Sequence, residues 1–350
     1  MFSTPAVALY ALLANGLLAT CQFSPAESLA AQFSLTTSTS LPFPTQTLST
    51  NDAQSYLTSN WGLSKGRVQN NPDDLAFIAD PFPTKPAPGS TTSSGNGSVL
   101  AVTYAADAFA STNSGSQFYS LLNTTDGSKF NSMLLTYEVA FDADFPFVKG
   151  GKLPGLRGGP QIDGCSGGDA ANGTNCFSTR LMWRKSGQGE VYAYIPSSSS
   201  LCKDSNVLCN QDGFGTSIDR GSFSFVPGQW NRVTLLVQLN DASGSANGQV
   251  QLYYNNVLAL KQQDLVYRTT SDVDIGGLYF STFFGGDDSS WAPSQTTHSY
   301  FRNFQFYGSS ASSNLTSTSA ATSAISSISM ERLFSVFIAV GAVLLAGEFF

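Results

Sequence analysis

Eight apolar runs, none with a helical period, constrain this chain most. They are VLAVTYA (99–105), MLLTYEVAF (133–141), FSTRLMWR (177–184), EVYAYI (190–195), WNRVTLLVQL (230–239), GQVQLYYNNVLAL (248–260), DIGGLYFSTFF (274–284) and SYFRNFQFYG (299–308). Clusters of Gly, Asn, Asp and Ser separate them, as turns separate strands. Many strands at close spacing without intervening helices fold as an antiparallel sandwich or jelly roll. The expectation is therefore all-β, with Asp52–Leu57 as a short helical turn at most. Charged residues make up only 12% of the chain, and 26 Phe and 13 Tyr supply ample core. No internal repeat is visible.

Both ends read as processing signals rather than fold. Residues 1–20 are apolar (VALYALLANGLLAT) and resemble a secretory signal peptide, although the stretch lacks Lys and Arg. Residues 21–50 are rich in Ser and Thr, with Pro42 and Pro44, and read as a linker or an outer strand. Residues 51–308 are the folded domain. Residues 309–332 are a Ser/Thr/Ala stalk that buries too little apolar surface to fold. Residues 333–350 (LFSVFIAVGAVLLAGEFF) form an apolar tail ending the sequence. A small-residue spacer followed by such a tail reads as a glycosylphosphatidylinositol anchor signal. A retained membrane helix is the alternative reading. The expected location is outside the cell and anchored to its surface, with the chain acting as a monomer.

The net charge of −7 and pI near 4.6 exclude a broad basic surface for nucleic acid. Cys165, Cys176, Cys202 and Cys209 lie beyond the leader, where Cys21 sits. Four cysteines in a secreted chain allow three pairings. Cys165–Cys176 and Cys202–Cys209 are preferred, since each closes a short loop. Asn96, Asn123, Asn172 and Asn314 begin glycosylation sequons.

Against this acidic background, residues 149–196 gather six of the seventeen cations: Lys149, Lys152, Arg157, Arg180, Arg184 and Lys185. Such a local reversal of field suits an anionic ligand. Period-2 geometry puts Ser178, Arg180 and Arg184 on one strand face, where Arg184 is expected to extend the positive subsite, and Tyr192 with Tyr194 on one face. A uronic-acid polymer fits a secreted chain with a mixed aromatic and cationic face and no phosphate loop. The chemistry suited to these residues is β-elimination. Arg or Lys neutralises the sugar carboxylate, and a base removes the proton on the adjacent carbon. A tyrosine whose pKa is depressed by a nearby cation serves as base or acid.

The run GGKLPGLRGGP…CFSTRLMWR…GEVYAYIP resembles the polysaccharide lyase families acting on alginate and on glucuronan (families 14 and 20), and the fungal proteins related to them. VLAVTYA, SQFYS, MLLTYEVAFDADFPFVKGGKLPG, TFFGGDDSSWAP and YFRNFQFYG share the likeness, which covers about residues 50–308. The resemblance implies a β-jelly roll with a concave cleft on one sheet, and endolytic cleavage of an acidic polysaccharide. It also implies Lys152 as the cleft lysine, Ser178 and Arg180 as its serine and arginine, and Tyr192 and Tyr194 as the paired tyrosines. Gln117 of SQFYS is implied as a partner of the substrate carboxylate.

Other readings compete. Without the resemblance, a Tyr-x-Tyr pair is more often packing, a strand Arg more often a solvated edge, and the glycines of GGKLPGLRGG a loop. His298, the sole histidine, has a side chain suited to proton transfer. Asp287 and Asp288 offer oxygen ligands for calcium or, with Asp274, a hydrolase carboxylate pair; a turn role is the simpler account. No cofactor or metal is otherwise expected. A jelly roll that binds carbohydrate at the cell surface without turnover is the main rival to a lyase.

Overall fold

The computed structural model describes residues 23–90, 97–111, 114–161, 165–168, 170–210 and 214–312. The apolar leader with Cys21, the sequons at Asn96 and Asn314, the acids Asp163 and Asp169, and the stalk and tail beyond residue 312 lie outside the described residues. In chain order the elements are α1 (Ala26–Gln32), β1 (Thr37–Ser40), α2 (Thr50–Asn60), β2 (Leu75–Ala79), β3 (Ser98–Tyr104), β4 (Ser116–Leu121), β5 (Ser132–Phe141) and β6 (Gly150–Gly158). Then come β7 (Phe177–Arg184), β8 (Gln188–Tyr194), β9 (Val207–Leu208), β10 (Thr216–Ser224), β11 (Asn231–Gln238), β12 (Gly248–Tyr254), β13 (Val257–Leu265), β14 (Ile275–Phe284) and β15 (Thr297–Ser309). Among the described residues, neither helix is long and apolar enough to cross a membrane.

The strands form two antiparallel sheets packed as a jelly-roll sandwich. One runs β13-β12-β11-β5-β15-β3-β2, with β1 paired to β15; the other runs β4-β14-β6-β7-β8-β10-β9. Alternation explains the packing. On β5, Met133, Leu135, Tyr137, Val139 and Phe141 enter the core between the sheets. On β8 the core side is Val191 and Ala193, which leaves Glu190, Tyr192 and Tyr194 on the other face. Trp61 lies at the end of α2 and meets Phe77 of one sheet and Phe118 of the other, at 6.5 and 5.9 Å between ring centroids. The helix so closes the sandwich edge. Burying each such aromatic is worth about 1.5–3 kcal/mol. Helix α1 packs Leu29 on the outer face of the first sheet, beside Leu134, Leu236 and Tyr253.

Four elements depart from the sequence reading, the first being α1, a helix within the stretch read as a linker or outer strand. The helical turn expected at Asp52–Leu57 is an eleven-residue helix. GQVQLYYNNVLAL is two strands, because Asn255 and Asn256 both take positive φ, 50° and 67°, and turn the chain between β12 and β13. Positive φ at both central residues defines the hairpin turn that matches strand twist, and Asn tolerates it. The glycine-rich GGKLPGLRG is a strand in mid-sheet, β6. Its Gly155 is needed for close approach: a Cβ there would lie 2.1 Å from the Thr179 carbonyl oxygen.

That strand carries a bulge between Leu153 and Gly155 against β7. Leu153 and Leu156 both enter the core, and Lys152 and Arg157 therefore share the outer face despite their odd separation. The outer face of the second sheet is the face on which the predicted site residues gather.

Candidate active site

The register across β6, β7 and β8 fixes the site. Arg180 pairs with Tyr192 and with Gly155, Ser178 with Tyr194, and Lys152 with Met182, which in turn faces Glu190. The Lys152 amine lies 3.5 Å from the centroid of the Tyr192 ring and reaches the Met182 Sδ at 2.7 Å. The Arg180 guanidinium carbon lies 4.3 Å from the centroid of the Tyr279 ring and 5.7 Å from that of Tyr194. Arg180 Nη1 donates to Ser281 Oγ at 3.1 Å, while its buried Nε has no protein partner. Such an orphan donor on a nearly buried guanidinium costs stability unless something accepts from it. Gln117, on β4, accepts through Oε1 from Tyr279 OH at 3.1 Å and from Ser281 Oγ at 3.2 Å.

Lys152, Arg180, Tyr192, Tyr194, Gln117 and Arg184 are thus brought to one face. Arg184 joins through its guanidinium carbon, 5.9 Å from the centroid of the Tyr192 ring. Ser178 is fully buried on the same face, where its Oγ donates to the Cys165 carbonyl at 2.6 Å. Its hydroxyl therefore anchors a loop in this structure. Cys165–Cys176 and Cys202–Cys209 are the two disulfides, as preferred from loop length. The Cys165–Cys176 loop lies against Met182, Tyr192 and Tyr194, and the Gly167 N–H donates to Tyr194 OH at 3.2 Å.

Electrostatics corrects one expectation. The Tyr192 pKa is not depressed by its cations; burial pushes it up to about 12. Lys152 moves the opposite way. Burial, then the charges of Arg180 and Arg184, hold its amine well below the usual lysine range. Burial thus disfavours the charged form of Lys152 and keeps the Tyr192 hydroxyl protonated.

Sequence reasoning passed over Tyr279, Ser281, Met182, Glu190, Ser217 and Arg220. Alternation contained the signal for most: Met182 is two residues beyond Arg180, Glu190 two before Tyr192, and Tyr279 and Ser281 alternate in DIGGLYFSTFF. Glu190 is fully buried and bonded to Arg184, Ser217 and Arg220.

Other candidates lie elsewhere. His298 is on the outer face of the opposite sheet, with Nδ1 3.0 Å from Asp142 Oδ2. Asp288 caps a short 3-10 turn by accepting from the Ser290 N–H at 2.8 Å. Asp274 and Asp287 flank opposite ends of ten-residue β14, about 30 Å apart by strand rise. Paired hydrolytic carboxylates stand within about 10 Å. Among the described residues, no cluster of three or more His, Cys, Asp or Glu is placed to hold a metal ion. A cavity of about 760 Å³ lies on the outer face of the first sheet, among Glu27, Gly89, Glu138, Arg232 and Arg302. Its central charges pair internally, Glu138 with Arg232 and Arg302 at 2.7 Å each.

The family model for polysaccharide lyase 14 matches residues 92–304. The chain belongs to the polysaccharide lyase 14 family. It is accordingly a polysaccharide lyase, and the matched span contains every residue of the site just described. A crystal structure of a marine PL-14 alginate lyase from Aplysia kurodai superposes with a TM-score of 0.62 at 29% identity, covering 77% of this chain and 100% of that one. Alginate lyase vAL-1 from Chlorella virus gives 0.55 at 21% identity, over 75% of this chain and 99% of that one. Alginate lyase Aly36B gives 0.54 at 20% identity, over 77% and 96%. The latter two share the fold. No curated protein sequence matches the chain significantly.

Proposed function

We propose that this lyase cleaves a 1,4-linked polyuronate, of glucuronan or alginate type, by β-elimination at the Lys152–Arg180–Tyr192–Tyr194 face. The observation that carries the reading is the unpartnered Nε of Arg180, held in a nearly buried guanidinium beside a desolvated amine. A uronate carboxylate is the acceptor that such an arginine lacks, and a charge-assisted bond there is strong. The 29%-identical Aplysia protein is an alginate lyase, which supports the same substrate class.

In this mechanism Arg180, with Gln117 nearby, neutralises the carboxylate. That makes the proton on the adjacent C5 removable. Neutral Lys152 takes the proton, the C5–H electrons form the C4=C5 double bond, and the C4–O glycosidic bond breaks. Tyr194, or the protonated Tyr192 beside it, gives its proton to the departing oxygen. The products are a fragment with a 4,5-unsaturated uronate at its non-reducing end and a partner fragment with a new reducing end. A module that only binds carbohydrate needs the arginines but has no use for an amine kept below its ordinary pKa. The polymer is met outside the cell, with the Ser/Thr stalk and apolar tail anchoring the enzyme at the surface. Release by phospholipase from intact cells tests that placement.

The test of the activity is direct. Purified protein is incubated with polyglucuronate and with polymannuronate, and the absorbance of the unsaturated uronate is followed. New absorbance is expected. Reducing ends without absorbance would mean hydrolysis, and binding without either would mean a binding module.

A further inference from the structure

We propose that Arg184 and Arg220, spaced by Glu190, form a second carboxylate-binding subsite, for the uronate next to the one at Arg180. The proposal rests on the polyuronate reading above and extends it to a sugar beyond the reacting one.

Glu190 is the key to the arrangement. It is fully buried on the site face of β8, two residues before Tyr192. Its Oε1 accepts from Arg184 Nε at 2.9 Å and Nη2 at 2.6 Å. Its Oε2 accepts from Arg220 Nε and from Ser217 Oγ, each at 2.7 Å. Arg220 Nη2 also donates to Ser217 Oγ at 3.3 Å. A carboxylate offers about four acceptor positions, and all are used. Full satisfaction is what lets a buried charge persist.

A carboxylate weakens the attraction of a site for a polyanion, so electrostatic steering alone gives no reason for this one. Geometry does. One acid between two guanidiniums leaves a local net charge of about +1 and fixes both planes, which as free side chains would sample many rotamers. The clamp engages Nε and Nη2 of each arginine and leaves the Nη1 edge of each outside it. Access increases outward, since the Arg184 side chain is 13% exposed and that of Arg220 39%. Arg184 and Arg180 are four residues apart on one strand face, about 13 Å by strand rise, further than one sugar ring reaches. The two arginines therefore address different sugars of a chain. Arg184 also borders the Tyr192 ring that carries the Lys152 amine, which makes the subsite continuous with the reacting centre.

The test compares wild type with Arg220→Ala and Glu190→Gln on oligouronates of increasing length and on polymer. Arg220 is exposed enough that its truncation leaves the fold intact, whereas Glu190→Gln carries a folding risk that a melting curve monitors. The expected result for Arg220→Ala is a KM for polymer raised about tenfold with kcat changed less than about threefold. The rise should vanish on the shortest cleavable oligomer. Glu190→Gln should move KM in the same direction, because both guanidiniums lose their anchor. A polymer KM equal to wild type in Arg220→Ala overturns the subsite, as does an equal rise at every chain length. If wild type itself forms no unsaturated product, the lyase reading has failed, and calorimetric titration with the polymer decides the subsite instead. Weaker binding by Arg220→Ala then supports it, and unchanged binding overturns it.

Discussion

The amine of Lys152 sits over the ring of Tyr192, 3.5 Å from its centroid, although the two residues belong to strands separated by β7. The contact crosses Met182, whose Sδ holds the same nitrogen. An amine placed between a sulfur and a ring face has lost most of its water, and Arg180 and Arg184 add positive charge nearby. Each of these favours the neutral form.

This has consequences for pH. In the proposed mechanism the base is the unprotonated Lys152 amine, so activity should rise as pH passes through the Lys152 pKa in the folded protein. That pKa is depressed, so the acid limb of kcat/KM should fall well below the free lysine value near ~10.4. Arg184→Gln removes one depressing charge and should move the limb to higher pH; an unmoved limb would exclude Lys152 as the titrating group. Stability has the matching sign. The unfolded chain holds the proton at pH values where the folded chain has released it, so this group makes stability rise with pH through that window. Lys152→Met should abolish turnover and, near neutral pH, raise the melting temperature.

Arg180 should be irreplaceable even by lysine. Its plane lies against Tyr279, it donates to Ser281, and its buried Nε has no protein partner. A lysine supplies one charge but no fork, and fits neither the stack nor the bidentate geometry. Arg180→Lys should lower kcat/KM by at least about a hundredfold, or about 2.7 kcal/mol in the barrier. The loss should appear in both KM and kcat, because the carboxylate is bound in the ground state and bears more charge in the transition state. A loss confined to KM would reduce Arg180 to a binding role.

Tyr194→Phe separates chemistry from binding. The substitution removes a hydroxyl that accepts from the Gly167 N–H and leaves the ring packing in place. A lost general acid typically costs 10²–10⁴-fold. The variant should therefore bind polymer with near wild-type affinity while forming unsaturated product at least ~10²-fold more slowly. Full activity would transfer the proton-donating role to Tyr192, which burial keeps protonated to about 12.

How much of this was legible in the sequence depends on whether alternation or backbone irregularity set each position. Ser178, Arg180 and Arg184 on one strand and Tyr192 with Tyr194 on the next follow from period 2 alone, and the structure keeps both sets on one face. Lys152 and Arg157 do not follow. Their odd spacing places them on opposite faces until the bulge at Pro154 and Gly155 is known, and a bulge depends on close contact with Thr179 on a neighbouring strand. The hairpin at Asn255-Asn256 was legible in principle, since asparagine tolerates positive φ, yet the apolar residues around it hide the break. Glu190 was hidden for another reason. A strand glutamate ordinarily faces water, and only the folded register brings Arg184, Ser217 and Arg220 around it.

The two disulfides should differ in what they protect. By loop length their contributions to stability are similar, about 3 kcal/mol for the Cys165–Cys176 loop and about 2.5 kcal/mol for Cys202–Cys209. Their contacts are not similar. The first loop gives its Cys165 carbonyl to Ser178 and its Gly167 N–H to Tyr194, so its position sets the orientation of the tyrosine hydroxyl. The second joins the 3-10 turn at Leu201–Lys203 to the residue that follows the edge strand β9. Replacing Cys165 and Cys176 together by Ser should lower the melting temperature and also cut kcat more than about tenfold at temperatures where the fold is intact. Replacing Cys202 and Cys209 should lower the melting temperature by a comparable amount with kcat held within about threefold. Equal kcat losses in the two double variants, measured well below both melting transitions, would mean that the Cys165–Cys176 loop only stabilises the domain.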